Sequence, residues 1–431
     1  MDAHSWAAEG TRSRSSQQHR IVANRRRMAL GVLVALMLAA STACSTQLES
    51  IAETVEAANS VSESTSVESP STSSTSTTTT STTTSTTTTT TSTTVVEVIP
   101  RPAPAVDWAR FEQSLFDALP RSTEISAAMV YDGEVIWTAT RGQADTESRF
   151  RIASLSKILT AIVVMQLVEE GRVGLDEPIG QLVADQLGLG PVPPSAAALT
   201  PSMLLSHRSG FDKYRTLFFS GPRQGDFRSA AATGLRQGPG RNTSFVYSNM
   251  NYVIAGVLIE ALTGQSYEAA VTERLLAPLG IDTMRLAGTH DVQPGEIRHV
   301  SGPDRNYMEL LGPAGAWVGS AGDMARILDS ISSGGLPADA GSSAWRSLGP
   351  EAWMVLVEPL SFGPLEAGTY GRGVMYDAIG AFGHTGSIEN TRTMGMVLPN
   401  GLVYTVLINA KSPDRASAIG ERVRAALASA T

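Results

Sequence analysis

Cysteine and lysine are the scarce residues of this 431-residue chain: one cysteine, Cys44, and three lysines, Lys157, Lys213 and Lys411, against 30 arginines. A lone cysteine excludes an intrachain disulfide, so a hydrophobic core must supply the stability. It also excludes a cysteine-rich metal site, and no HExxH pair is present, so neither a metal nor another cofactor is expected. GxSxG is missing as well, which argues against an α/β-hydrolase. Charged residues make up only 17% of the chain, with a net charge of −8, and no nucleic-acid partner is expected.

The N-terminal quarter lacks apolar residues where a fold would need them. Residues 71–94 are all serine or threonine, and such a tract has no apolar surface to offset the entropy of ordering its backbone, so it reads as an extended, solvated stalk. Pro100, Pro102 and Pro104 stiffen the approach to the folded part. Upstream, Arg25, Arg26 and Arg27 precede MALGVLVALMLAA, an apolar run too short to span a bilayer comfortably, which has the pattern of a secretory signal. Export is therefore expected. Cys44 comes directly after Ser41, Thr42 and Ala43, where a bacterial lipoprotein signal is cut and the new N-terminal cysteine acylated; the segment resembles a lipobox, with Ser41 where leucine is preferred. The expected organisation is a lipoprotein-type signal peptide over 1–43, a disordered Ser/Thr-rich linker over 44–105 and one folded domain over 106–431. A lipid on Cys44 would hold that domain on the cell membrane, facing the wall; otherwise it is secreted. Without residues 1–43, 27 basic residues face 39 acidic ones.

Within the folded part, EISAAMVYDGEVIWTATRG, residues 124–142, carries two β-rich runs around Asp132-Gly133, a strong hairpin signal. Thr200-Pro201 caps and starts a helix, and NYVIAGVLIEALTG, residues 251–264, makes another that ends at Gly264. TMGMVLP and LVYTVLINA flank Asn400-Gly401, a second hairpin signal, and a helix is expected from about Pro413 to Ala428. Strands at both ends with helices between imply an α+β fold: an antiparallel sheet assembled from both termini, flanked by helices, with a mainly helical insertion and a cleft between the parts.

One of the rare lysines falls three residues after a serine, at the head of IASLSKILTAIVVMQLVEEG. At i, i+3 the side chains of Ser154 and Lys157 share a helix face. A serine in the first turn lies where unpaired N–H groups and the helix dipole can steady an oxyanion. Its hydroxyl is a weak nucleophile until a base takes the proton, and arginine could not serve, because it stays protonated. Two further motifs occur downstream, in order: Tyr247-Ser248-Asn249 in SFVYSNMNYV, and His384-Thr385-Gly386 in AFGHTGSIEN. Together they resemble the signature set of the penicillin-recognising serine hydrolases. LLSHRSGF, APLGIDTM and AGAWVGSAGDMARIL match as well, and Tyr247 points to the class C β-lactamase and DD-peptidase branch.

That resemblance implies a β-lactamase/transpeptidase-like fold and an acyl-enzyme on Ser154, with Lys157 and Tyr247 as acid/base pair. Deprotonating a lysine of pKa near 10.4 at pH 7 costs roughly 4 to 5 kcal/mol unless its surroundings lower the pKa. Which of the two is the base stays open, and they would titrate as a unit. The resemblance also implies that Asn249 holds the acyl-side amide, that the N–H groups of Ser154 and Ser387 form the oxyanion hole, and that His384, Thr385 and Gly386 bind substrate. His384 departs from relatives with lysine there, and HTG is more like certain DD-carboxypeptidases; protonated, it would attract a substrate carboxylate. Arg392, eight residues on and placed on the same strand by parity, could supply a permanent charge. His207, His290 and His299 are read as structural. The implied activity is D-alanyl-D-alanine carboxypeptidase on peptidoglycan stem peptides. The same scaffold also hosts β-lactamases, esterases and D-amino-acid amidases, and a non-catalytic penicillin- or wall-binding module is the alternative of another class.

Overall fold

A computed structural model describes residues 104–119, 123–212, 215–219, 225–332, 348, 355–356, 370–377, 380–410 and 416–431. The expected signal segment, Cys44 and the Ser/Thr tract lie outside the described residues, as do Lys213 and Lys411. Among the described residues no helix is long and apolar enough to cross a membrane.

Nine strands are described: β1 Glu124–Tyr131, β2 Glu134–Arg141, β3 Phe150–Arg151, β4 Arg285–Leu286, β5 Trp317–Gly319, β6 Met375–Tyr376, β7 Phe382–Ile388, β8 Thr391–Val397 and β9 Val403–Asn409. Six form an antiparallel sheet in the order β2-β1-β9-β8-β7-β6, so the two ends of the folded part meet at its centre, with Ile125 opposite Ile408 and Ala127 opposite Val406. The β1-β2 turn occurs where expected, Asp132 and Gly133 taking φ of 52° and 83°. The β8-β9 turn is one residue longer than a two-residue reading of Asn400-Gly401: Leu398 and Leu402 bracket it, and Gly401, at φ 86°, donates its N–H to Leu398 O.

Both faces of the sheet are covered. Ala127 and Met129 of β1 pack with Phe111 and Leu115 of α1 (Trp108–Ala118) and with Ile419 and Val423 of α2 (Ala416–Ala430), the helix expected near Pro413. Ala128 and Val130, one residue out of step, face the larger core with the remaining helices. Because neighbouring strand residues point to opposite faces, a β1 buried on both sides reads as apolar on both faces, Ser126 excepted, rather than alternating.

Two helices of the larger layer position the site. The helix that follows Ser154, Ser156–Glu169, is buried nearly all round. The helix Asn249–Thr263 ends as expected at Gly264, whose φ of 72° lets its N–H cap Glu260 O. A short helix, Pro201–Leu205, has the expected Thr200 cap, its hydroxyl accepting from Met203 N–H. The smaller sheet, β3-β5-β4, joins the segment before Ser154 to the segment after Ala314.

Candidate active site

Ser154 lies just upstream of the α-helix, in a 3₁₀ turn spanning Ala153–Leu155, and the α-helix proper begins at Ser156. Ala153 has a φ of 51°, an uncommon conformation for a residue with a side chain, immediately before the serine. The turn is braced from two sides. Ile152 N–H donates to Trp317 O at 3.0 Å, and Ile152 O accepts from Thr393 Oγ1 at 2.9 Å. Strand β7 presses on it through Gly386, where a Cβ would collide with Thr393 Oγ1 and lie 2.9 Å from Ala153 Cβ and Ile152 O. Gly386 therefore serves by having no side chain.

Lys157 is fully buried. Its Nζ lies 3.2 Å from Ser154 Oγ, 2.9 Å from Asn249 Oδ1 and 2.6 Å from Ala314 O. Burial holds its pKa well below the ordinary lysine value. A neutral amine spends its two N–H bonds on the two carbonyl oxygens, which leaves the lone pair directed at Ser154 O–H. That arrangement can take the serine's proton. Tyr247, whose hydroxyl is hydrogen-bonded to Ser154, is 38% exposed along the cavity, yet desolvation around the hydroxyl raises its pKa and the Ser154 bond only partly opposes this. The two shifts run in opposite directions. Burial thus weakens the hold of the amine on a proton and strengthens that of the phenol.

A cavity of about 610 Å³ opens over these groups. Ser154, Tyr247 and Asn249 line it on the helical side; Ser387, Glu389 and Arg392 line it on the strand side. Asn249 is placed as expected, but its Oδ1 is already engaged by Lys157, so only its amide N–H₂ remains to meet a substrate carbonyl. Apolar area comes from Phe218, Phe219, Leu311 and Ile388. Among the described residues no group of three or more His, Cys, Asp or Glu could hold a metal ion.

Three expectations require correction. His384 does not line the cavity. It is buried, its Nδ1 donating to Thr385 O at 2.6 Å, which leaves Nε2 to accept from Tyr370 O–H at 3.2 Å. Burial, with Lys157 nearby, lowers its pKa to about 3, so it remains neutral near pH 7 and cannot read a carboxylate by titrating. Thr385 is likewise off the cavity wall, with its hydroxyl 3.7 Å from Met375 Sδ. Arg392 is not on the strand of His384. A turn at Glu389-Asn390 intervenes, and Arg392 pairs directly opposite Ser387 on the next strand. Glu-Asn carries no glycine and is a weak hairpin signal, although Glu389 takes a φ of 40°. Cross-strand partners share a face, so the guanidinium reaches the cavity by register and not by parity along one strand.

Several site residues escaped the sequence reading. Ala314 contributes a backbone carbonyl, which no side-chain pattern can reveal. Tyr370 supports His384 from a segment without a motif. Glu389 and Asp212 place carboxylates on the cavity wall. Glu389 Oε2 accepts from Ser301 Oγ at 2.6 Å and from Tyr307 O–H at 3.2 Å.

The geometry agrees with what the chain is similar to. A family model described as Beta-lactamase matches residues 113–429. Penicillin-binding protein 4 of Amycolatopsis lactamdurans is 32% identical over 188 residues, 39% of this chain and 47% of that protein, so the match spans less than half of that relative. Esterase EstB of Burkholderia gladioli is 26% identical over 366 residues, 69% of this chain and 90% of the esterase. Among solved structures, the D-amino acid amidase from Ochrobactrum anthropi SV3 complexed with L-phenylalanine aligns with a TM-score of 0.61 at 24% identity, covering 74% of this chain and 98% of the amidase. The octameric penicillin-binding protein homologue from Pyrococcus abyssi aligns with a TM-score of 0.59 at 22% identity, covering 75% of this chain and 78% of the homologue. At these identities the two structures speak to the fold alone. Since the family model runs through the sheet and the inserted helices alike, the chain belongs to the beta-lactamase family and is a serine hydrolase of the penicillin-recognising superfamily.

Proposed function

We propose that this serine hydrolase is a D-alanyl-D-alanine carboxypeptidase acting on peptidoglycan stem peptides, exported and tethered to the membrane through a lipid on Cys44. The observation that carries the substrate assignment is Arg392, a cation set opposite Ser387 that lines the same cavity as Ser154. A guanidinium there suits the free carboxylate at the end of a stem peptide.

In this reading Ser154 Oγ attacks the penultimate D-alanine carbonyl while its proton passes to Lys157 Nζ, forming a tetrahedral intermediate. The N–H groups of Ser154 and Ser387 receive the oxyanion. Collapse breaks the peptide C–N bond, and the departing D-alanine amine takes a proton delivered from Lys157 by way of the Tyr247 hydroxyl. Water, activated by the regenerated amine, then attacks the ester carbonyl and releases the shortened peptide with Ser154 restored. Lys157 is suited to this role because its desolvated amine gives up its proton more readily than an exposed lysine, which frees the lone pair to act as base and makes the ammonium a stronger acid.

The test offers the purified protein a peptide ending in D-Ala-D-Ala, a chromogenic cephalosporin, a short-chain aryl ester and D-phenylalanine amide side by side. D-alanine release should be the fastest reaction and should fall on Arg392→Ala, with the ester unchanged. Ester or cephalosporin turnover without D-alanine release would overturn the assignment. For the anchor, Cys44→Ala should shift the protein from the membrane fraction to the soluble one.

A second reading, D-amino-acid amidase, is favoured by Asp212 and Glu389, whose carboxylates on the same wall suit a substrate ammonium group. Turnover of D-phenylalanine amide that exceeds D-alanine release and drops on Glu389→Gln would favour it over the first.

A further inference from the structure

His207 is a buried histidine that the chemistry above does not use. It comes just after the short helix Pro201–Leu205, has a φ of 58° and is 1% exposed. Its backbone carbonyl accepts from Val246 N–H at 3.0 Å, and its Nδ1 accepts from Ser248 N–H at 3.2 Å. These two bonds grip the chain on either side of Tyr247. The imidazole also lies against the Tyr247 ring, centroids 4.4 Å apart and tilted by 41°.

The partners fix the tautomer. Asn251 Oδ1 accepts from Ser209 O–H, so its amide N–H₂ faces His207 Nδ1, at 2.9 Å. With Nδ1 accepting, Nε2 carries the proton, and that Nε2 is buried with no hydrogen-bond partner. An orphaned buried N–H is destabilising, and an aliphatic side chain would avoid it. Packing alone therefore does not explain a histidine here. Burial, with Lys157 and His384 nearby, also holds the imidazole well below its ordinary pKa, so it stays neutral and retains its acceptor.

We propose that His207 is a positioning residue for Tyr247: its carbonyl and Nδ1 fix the backbone on both sides of the tyrosine, and its ring fixes the phenol against Ser154. This rests on the reading of Tyr247 as the proton-transfer partner of Lys157. His207→Asn keeps an acceptor near the Nδ1 position and tolerates a positive φ; His207→Gln moves its amide one bond further out and loses that acceptor. With a neutral aryl ester as substrate, the asparagine variant should keep kcat within about threefold of the parent, while the glutamine variant should lose about 30-fold in kcat with KM within about threefold. In a Tyr247→Phe background the glutamine change should cost less than about threefold, because its effect runs through the tyrosine.

Equal losses for asparagine and glutamine, a loss confined to KM, or the same glutamine cost in both backgrounds would overturn the proposal. If Tyr247→Phe leaves kcat unchanged, the reading of Tyr247 falls and takes this proposal with it; an impaired Tyr247→Phe beside a fully active His207→Gln overturns the His207 assignment alone. Should the glutamine variant not fold, His207→Met replaces it under the same criteria. If neither folds, the imidazole serves the fold and not the site, and the proposal is overturned.

Discussion

The two walls of the cavity are built on opposite principles. On the helical wall Lys157 is fully buried, its amine shared among Ser154, Asn249 and Ala314. On the strand wall Ser387 and Glu389 are exposed and Arg392 is half-buried, its guanidinium donating to the carbonyls of Glu389 and Thr391. Desolvation lowers the lysine pKa on the first wall, while the second wall is open to solvent. A proton acceptor needs a lowered pKa, whereas a carboxylate reader needs a charge that persists. His384 shows what happens when an ionisable group lies behind the working surface: burial lowers its pKa to about 3, and the basic side chain that lines the cavity is Arg392.

The comparison breaks first at the nucleophile. Ser154→Ala should abolish labelling by a fluorescent penicillin or a fluorophosphonate and reduce hydrolysis by about 10⁴-fold or more, measured on protein with unaltered circular dichroism. Persistent labelling would move the chemistry off the helical wall. Next in size is Lys157→Arg, which keeps a cation but cannot supply a base: kcat should fall about 10³-fold at every pH. In the parent, kcat should rise with pH through the lowered lysine pKa, and that rise should be absent from the arginine variant. A variant with the parent's pH profile would show that another group accepts the proton.

The strand wall gives a smaller and differently shaped effect. Arg392→Ala should raise KM about 10- to 100-fold for carboxylate-bearing substrates, the worth of one charge-assisted contact, while kcat and the kinetics of a neutral ester stay near the parent's. A loss in kcat for the ester would mean that Arg392 supports the chemistry and not only recognition.

The smallest effect is on stability. The His384 pKa is lowered from 6.5 to about 3 in the folded protein, so between those values the unfolded chain binds the extra proton. Its contribution is therefore constant above pH 6.5 and is lost at about 1.4 kcal/mol per pH unit as pH falls towards 3. Urea unfolding at pH 6.5 and pH 5 should show a shallower decline for His384→Asn than for the parent. Equal declines would mean that His384 stays exposed enough to titrate normally. His207 and His299 shift in the same direction and are common to both proteins, so the difference isolates His384.

Legibility varied with how local the cause was. The Asp132-Gly133 turn, the Thr200 cap and the Gly264 helix end each need only a few neighbouring residues, and all three occur where the sequence places them. The spacing of Ser154 and Lys157 is local too, and their contact results from it. The turn at Glu389-Asn390 was hidden because its residues carry no strong turn chemistry of their own. The extended strand read through it was the locally consistent alternative.

The sequence alone determined the inventory and its order: a serine with a lysine one turn on, a tyrosine shortly before a helix, a third motif near the end, and strands at both ends able to share a sheet. Those are properties of spacing and periodicity, which act over one element. The tertiary structure alone decided the surroundings of each group. Lys157 has a lowered pKa because a helix, the Ala314 carbonyl and Asn249 exclude water from it; His384 is neutral near pH 7 because it is buried against Tyr370 and Thr385; Arg392 reaches the cavity because register sets it opposite Ser387. Desolvation depends on atoms brought together from distant parts of the chain, and no local pattern encodes it.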